Sequence, residues 1–319
     1  MPKEICKLLK IKYPIIQGGM GNISNAMLTA AVSEAGGLGT IGCGTMTPKE
    51  VEKIITETKN KTNKPFAINI PINVTPYVDE LVEIILKHKV PIVSLSAGNP
   101  SKYIPKLKKN GVKTLVIVAT VKHAKKAEEV GADGLIAEGF EAAGINSNAE
   151  LTTFTLIPQI VKNVNIPVIA AGGIGNGNGL AAALMLGAQG IQMGTRFVAT
   201  VDAPFHSNYK EAILQATDTS TKIVGRSVGQ SRRVILGDYV KKIGEKEEEG
   251  ISLEEFQSLT TEAKHIKGAI EGDFSNGYIN AGQVSGLIDS LPTVKELIET
   301  MIEEAKMQLD HVSNKLQAF

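Results

Sequence analysis

Cysteine is scarce: Cys6 and Cys43 are the only two in 319 residues. They build no disulfide framework and lack metal-ligand spacing, which fits a reducing compartment. An excess of charge is missing too, since 34 Lys and Arg offset 33 Asp and Glu to leave a net +1. With no basic stripe and no acidic tail, nucleic acid and anionic membrane surfaces are poor partners. No apolar run reaches the roughly 18 residues of a spanning helix. The opening MPKEICKLLKIKYP breaks its apolar positions with charges where a signal peptide would be continuous. The five histidines (His88, His123, His206, His265, His311) show neither metal nor triad spacing and are read as surface residues. No fixed-length repeat is present. The expectation is a cytoplasmic protein whose 43% hydrophobic content supports a sizeable core.

What is present is an alternation. Short β-like runs are predicted at residues 15–17, 38–41, 66–70, 92–95, 114–118, 134–137, 168–170 and 190–193. Amphipathic segments at 48–60, 76–88, 101–109, 121–130 and 153–164 lie between them, with apolar residues such as Val51, Ile54 and Ile55 at helical spacing. Thr47-Pro48 and Thr75-Pro76 are start signals, and Gly111 and Gly131 sit where helices end. Strands alternating with helices give a parallel sheet, and eight of them predict a closed (β/α)8 TIM barrel, with an open doubly wound sheet as the alternative. After Thr200 the rhythm breaks into a polar stretch, 201–250, that carries Arg226, Arg232 and Arg233 and the solvated run EKEEE. Helical patterns return at 252–270 and 293–317. The expected division is a barrel at 1–201, a small lid or insertion at 202–283 over the mouth, and a C-terminal helix at 284–319 returning to the outer ring.

Candidate chemistry gathers at strand ends. Residues 168–198 hold two apolar runs, closed by Gly172-Gly173 and by Gly194-Thr195, with an alanine-rich helical run at 180–186 between them. Turns without side-chain bulk let backbone amides reach an anion, and the loops after strands seven and eight of such barrels are a frequent phosphate site. The stretch is read as gripping the phosphate of FMN, with a phosphorylated sugar or another nucleotide as the alternative. Gly18, Gly19 and Met20 follow the first strand and serve either as a simple turn or as a surface against a flat ring. Asn69 either bonds a neighbouring strand or meets a heteroaromatic edge, and Glu138 either faces a ribityl chain or pairs with a lysine such as Lys122. Cys43 has no neighbouring base and is given a packing role. The loop at 139–150, GFEAAGINSNAE, overlies the mouth yet holds no histidine, cysteine, lysine or tyrosine.

Together, PIIQGGM, AGGLGTIG, KPFAINI, SAGNPSKY, GADGLIAEGFEAAG, IPVIAAGGI and GIQMGTRF resemble the nitronate monooxygenase family. The similarity is greatest to its flavin-dependent enoyl-acyl-carrier-protein reductases of type II, and it extends to Ala281-Gly282-Gln283 and Gly286-Leu287-Ile288. The resemblance implies an FMN-binding barrel, with NAD(P)H as the reductant and an acyl thioester or another small molecule as substrate. It places Gly19, Met20 and Asn69 along the isoalloxazine and Glu138 and Gly144 on the ribityl side, with Gly18 also among the cofactor-binding residues. Gly172, Gly173, Gly194 and Thr195 fall at the phosphate, where Gln192 and Met193 complete the loop. The family carries a histidine in the loop after the sixth strand, and the matching residue here is Ile145, followed by Asn146 as a remaining polar contact. An isoleucine transfers no proton, which leaves three readings: enoyl reductase, nitronate monooxygenase, or a flavin-binding protein with reduced activity. Monomer and homodimer both remain open.

Overall fold

The computed structural model describes residues 3–317. Helix α1 (Lys3–Leu9) leads into β1 (Ile15–Gln17), α2 (Ala26–Glu34), β2 (Gly39–Gly42), α3 (Pro48–Lys61), β3 (Phe66–Pro71) and α4 (Val78–Lys87). Next come β4 (Ile92–Ser96), α5 (Ile104–Lys109), β5 (Lys113–Val118), α6 (Val121–Glu129) and β6 (Gly134–Glu138). The two-residue strand β7 (Gly144–Ile145) precedes α7 (Thr153–Val161), β8 (Val168–Ala171), α8 (Gly177–Met185), β9 (Gly190–Met193) and α9 (Thr195–Val198). Then follow α10 (Ser207–Leu214), β10 (Thr221–Val224), β11 (Arg232–Ile235), α11 (Asp238–Glu248), α12 (Leu253–Leu259), α13 (Glu262–Ala269) and α14 (Val294–Leu316).

Eight parallel strands run in the order β1-β9-β8-β6-β5-β4-β3-β2, and a single bridge, Ile16 to Leu38, brings β1 back to β2. Beside that bridge the Gln17 side chain takes over the ladder, donating to Thr40 O at 3.1 Å and accepting from Thr40 N at 3.4 Å. This is a (β/α)8 TIM barrel. Residues alternate across each strand. Ile41, Ile68, Val93 and Val116 pack outward with helix residues, whereas Ile16, Leu38, Ala67, Ile92 and Leu115 fill the interior. Ile5 and Leu9 of α1 join that interior cluster, so α1 plugs the barrel at one end.

Local signals explain the crossovers. Thr47 and Glu50 form a capping box at α3, and Pro48 occupies its first turn. Gly111 and Gly131 follow their helices with φ of 74° and 92°, a region where a side chain is strained. The other expected start moves: Thr75 Oγ1 accepts from Tyr77 N at 3.3 Å, a local turn, and α4 begins at Val78. Gly177 of α8 is fixed by α14, because a Cβ there would lie 2.2 Å from Glu304 Cβ and its N–H donates to the Glu304 carboxylate at 2.8 Å.

The polar stretch at 201–250 contains an unexpected hairpin. Strands β10 and β11 pair antiparallel, and β11 pairs in turn with β7, so the loop after β6 is tied into a three-stranded sheet. Val224, Val234, Tyr239, Ile243, Phe256 and Tyr278 give this unit its own core. The helical pattern at 252–270 divides where Thr261 caps α13 by accepting from Lys264 N. No helix among the described residues is long and apolar enough to cross a membrane.

Candidate active site

The barrel interior changes character towards the C-terminal ends of its strands. Asn69, Ser96, Glu138 and Gln192 replace the aliphatic residues below them, and a cavity of about 740 Å³ opens there. That volume lies within the range of small-molecule and cofactor sites. Gly18, Gly19, Met20, Asn69, Glu138, Gly144, Gly172, Gly173, Gln192, Met193, Gly194 and Thr195 all lie on its wall, as do Ile145 and Asn146. Residues far apart in the chain therefore converge on one space.

One side of the cavity suits an anion. Gly172 and Gly173 adopt φ of 97° and 74°, and a Cβ on Gly172 would meet Gly139 O at 2.9 Å. The N–H groups of Gly172, Gly173, Gly194 and Thr195 donate to no protein acceptor among the described residues. Gly194 differs from the other two glycines. Its φ of −109° suits any residue, and a Cβ there would meet nothing within 4 Å. The fold does not require glycine at this position, and the bare backbone leaves open space on the cavity wall. Arg196 does not line the cavity; its guanidinium is buried and donates to the carbonyls of Ala199 and Ser290. Thr195 Oγ1 accepts from Gly282 N at 3.0 Å, which ties this turn to the Ala281-Gly282-Gln283 segment.

Asn69 takes the first of its two expected roles, bonding a neighbouring strand, and it also faces the cavity. Its Nδ2 donates to Ser94 Oγ at 3.0 Å and Ser96 Oγ at 3.2 Å on β4, which orients the carboxamide while the residue lines the cavity. Gly19 approaches so closely that a Cβ would lie 2.7 Å from Asn69 Cβ. Glu138 has no ion pair among the described residues, so the alternative of a pairing with Lys122 is absent; burial pushes its carboxyl up to about 7. Cys43 is fully buried in the outer core, and burial raises its thiol pKa, consistent with packing. Asn146 is engaged otherwise than expected. Its Nδ2 donates to Ala142 O at 2.9 Å and Gly144 O at 3.1 Å, which leaves no amide hydrogen for a substrate oxygen.

The opposite wall was not foreseen. Arg232, Glu262, His265 and Asn280, all from the region after the barrel strands, line the same cavity. His265 is 3% exposed and is no surface residue. It stacks on Tyr278 with centroids 5.4 Å apart, and its Nδ1 lies 3.7 Å from the Glu262 carboxylate. Burial acts to raise the Glu262 pKa, yet His265, Arg232 and the Asn22 N–H together hold it below the usual carboxylate range. The i, i+3 spacing of Glu262 and His265 on one helical face was the available sequence signal.

The model of the family described as nitronate monooxygenase matches residues 3–80 and 72–304. The solved structure of FabK from Thermotoga maritima superposes with a TM-score of 0.91 at 42% identity, covering 98% of each chain. A probable nitronate monooxygenase of Staphylococcus saprophyticus is 33% identical over 95% of this chain and 97% of its own. A 5-hydroxy-7a-methyl-1-oxo-octahydro-1H-indene-4-carboxyl-CoA dehydrogenase of Mycobacterium tuberculosis is 32% identical over 97% of both chains. The chain belongs to the nitronate monooxygenase family of flavin-dependent oxidoreductases.

Proposed function

We propose that the cavity binds FMN and that the enzyme reduces the conjugated double bond of an acyl thioester with NAD(P)H. The observation that carries this reading is the set of unpaired amides at two neighbouring strand ends, beside a cavity of about 740 Å³ with oriented polar groups. The amides of Gly172, Gly173, Gly194 and Thr195 would receive the phosphate, with no side chain in the way at Gly194. Asn69, its Nδ2 held by β4, presents Oδ1 as an acceptor to the ring edge beside Gly19 and Met20. Glu138, a carboxyl raised to about 7, can donate a hydrogen bond near neutrality on the ribityl side with Gly144. Gln192 lies beside Gly18, and Met193 completes the turn. The flavin, when bound, supplies the hydride-accepting and hydride-donating chemistry. Residues 202–283 act as the lid, and the two free thiols suit the cytoplasm.

A thioester substrate is supported by the CoA ester named for the M. tuberculosis relative. A second reading, oxidation of an alkyl nitronate with O2, is supported by the 33% identity to the S. saprophyticus relative. NADH or NADPH oxidation that depends on an enoyl thioester establishes the first reading, and O2 uptake with an alkyl nitronate and no nicotinamide establishes the second. Neither activity in flavin-replete protein would leave a flavin-binding protein whose turnover fell with the loss of the histidine at Ile145.

A further inference from the structure

The exposed face of the small lid sheet holds an arginine whose role the fold does not explain. Arg232 is the direct cross-strand partner of Ile145, and Arg233 that of Gly144. Directly opposed residues of an antiparallel pair lie on the same face, with their Cβ atoms about 5 Å apart. Ile145 is 52% exposed and, like Arg232, lines the cavity. Arg233 points the other way. It is buried and donates Nε and Nη2 to Phe140 O at 3.1 and 2.9 Å, an internal structural role.

Arg232 is held in place without being neutralised by contact. Its guanidinium lies 5.3 Å from the Tyr278 ring centroid, and Nη1 donates to Asn280 Oδ1 at 3.3 Å. Because Asn280 accepts from Arg232 through Oδ1, its Nδ2 is the atom that faces His265 Nε2 at 3.2 Å. His265 Nε2 therefore accepts, and its proton sits on Nδ1, 3.7 Å from the Glu262 carboxylate and without a hydrogen-bond partner among the described residues. This chain fixes the carboxamide that holds the arginine. No carboxylate lies within ion-pair distance of Arg232 among the described residues. A guanidinium carries five N–H donors in a planar fork, and one hydrogen bond to Asn280 leaves most of them free.

We propose that Arg232 binds the oxygen of the acceptor substrate, and that Asn280 and His265 are its positioning residues. The ligand chemistry is a planar oxygen-bearing group that is, or becomes, negatively charged: a nitronate or a thioester carbonyl. The arginine thus stands beside the position where the family's histidine is replaced by Ile145, and it offers charge stabilisation in place of proton transfer. The assignment rests on the flavin reading of the cavity, and the test separates the two.

Flavin content of FMN-saturated wild type, Arg232→Met, Arg232→Lys and Arg226→Met is measured first. Arg226 pairs with Glu150 away from the cavity and serves as the control. Two non-reacting probes, 2-methylpropanoate for the nitronate and S-butanoyl-N-acetylcysteamine for the thioester, are then titrated by calorimetry, which requires no flavin signal. The expected result is equal flavin in all four proteins. Binding of at least one probe should weaken roughly 10- to 100-fold in Arg232→Met, less in Arg232→Lys, and not in Arg226→Met. The sensitive probe identifies the oxygen group. Should Arg232→Met unfold, Asn280→Ala is read in its place, with weaker probe binding expected at unchanged flavin content. Equal binding by Arg232→Met and wild type, or no binding of either probe to wild type, overturns the assignment. Absence of flavin from every protein overturns the cavity reading instead.

Discussion

At the scale of single residues, the clearest functional mark is a glycine that the fold does not need. Gly194 has an ordinary φ of −109° and open space where its Cβ would stand. Gly194→Asp should therefore fold and melt like wild type while losing FMN affinity by about 100-fold or more, as its carboxylate meets the phosphate. A matching loss of stability would place the residue in the fold. Glu138 gives a pH signature. Its carboxyl is raised from 4.5 to about 7 in the folded state, so the native protein holds that proton more tightly than the unfolded chain. Stability should fall as pH rises from about 4.5 to 7 and level off above, a cost on the order of 3 kcal/mol. Glu138→Gln should raise the melting temperature at pH 8 and leave it nearly unchanged at pH 4; an equal effect at both would exclude titration as the cause. Gly194 and Glu138 were legible in the sequence because strand ends of a barrel mark themselves. His265 was not. A buried histidine and a surface one look alike on a helix until the partner face is known.

At the scale of elements, the eight barrel strands were readable to within about a residue because they are short, largely apolar runs set between helical patterns and bounded by glycine or polar turns. The three-stranded sheet was not. Strand β7 has two residues, and β10 and β11 have four each, too short for a period-two pattern to stand out from a polar stretch. The sheet depends instead on one buried cation. Arg233 donates to Phe140 O and to Thr221 Oγ1, joining the loop after β6 to the hairpin. Arg233→Met should destabilise the protein by about 2 kcal/mol and speed hydrogen exchange at Asn146 N, which donates to Ser231 O across this sheet. Unchanged exchange there would show that apolar packing alone holds the sheet. Thr47→Ala, by contrast, should cost only about 1 kcal/mol through the lost cap of α3, with flavin binding unaffected.

At the scale of the molecule, α1 closes one end of the barrel, α14 packs against α8 on the outside, and the cavity opens between the strand ends and residues of the segment after them. The barrel wall of the site was legible because a parallel barrel places every strand end on one face. The opposite wall depends on tertiary packing of Arg232, Glu262, His265 and Asn280, and no single stretch of sequence announces it. Both walls enclose the proposed flavin site. Its most direct test is the flavin retained after the purified chain is saturated with FMN and passed through gel filtration. About one FMN per chain is expected. A chain that emerges colourless and without flavin would contradict it.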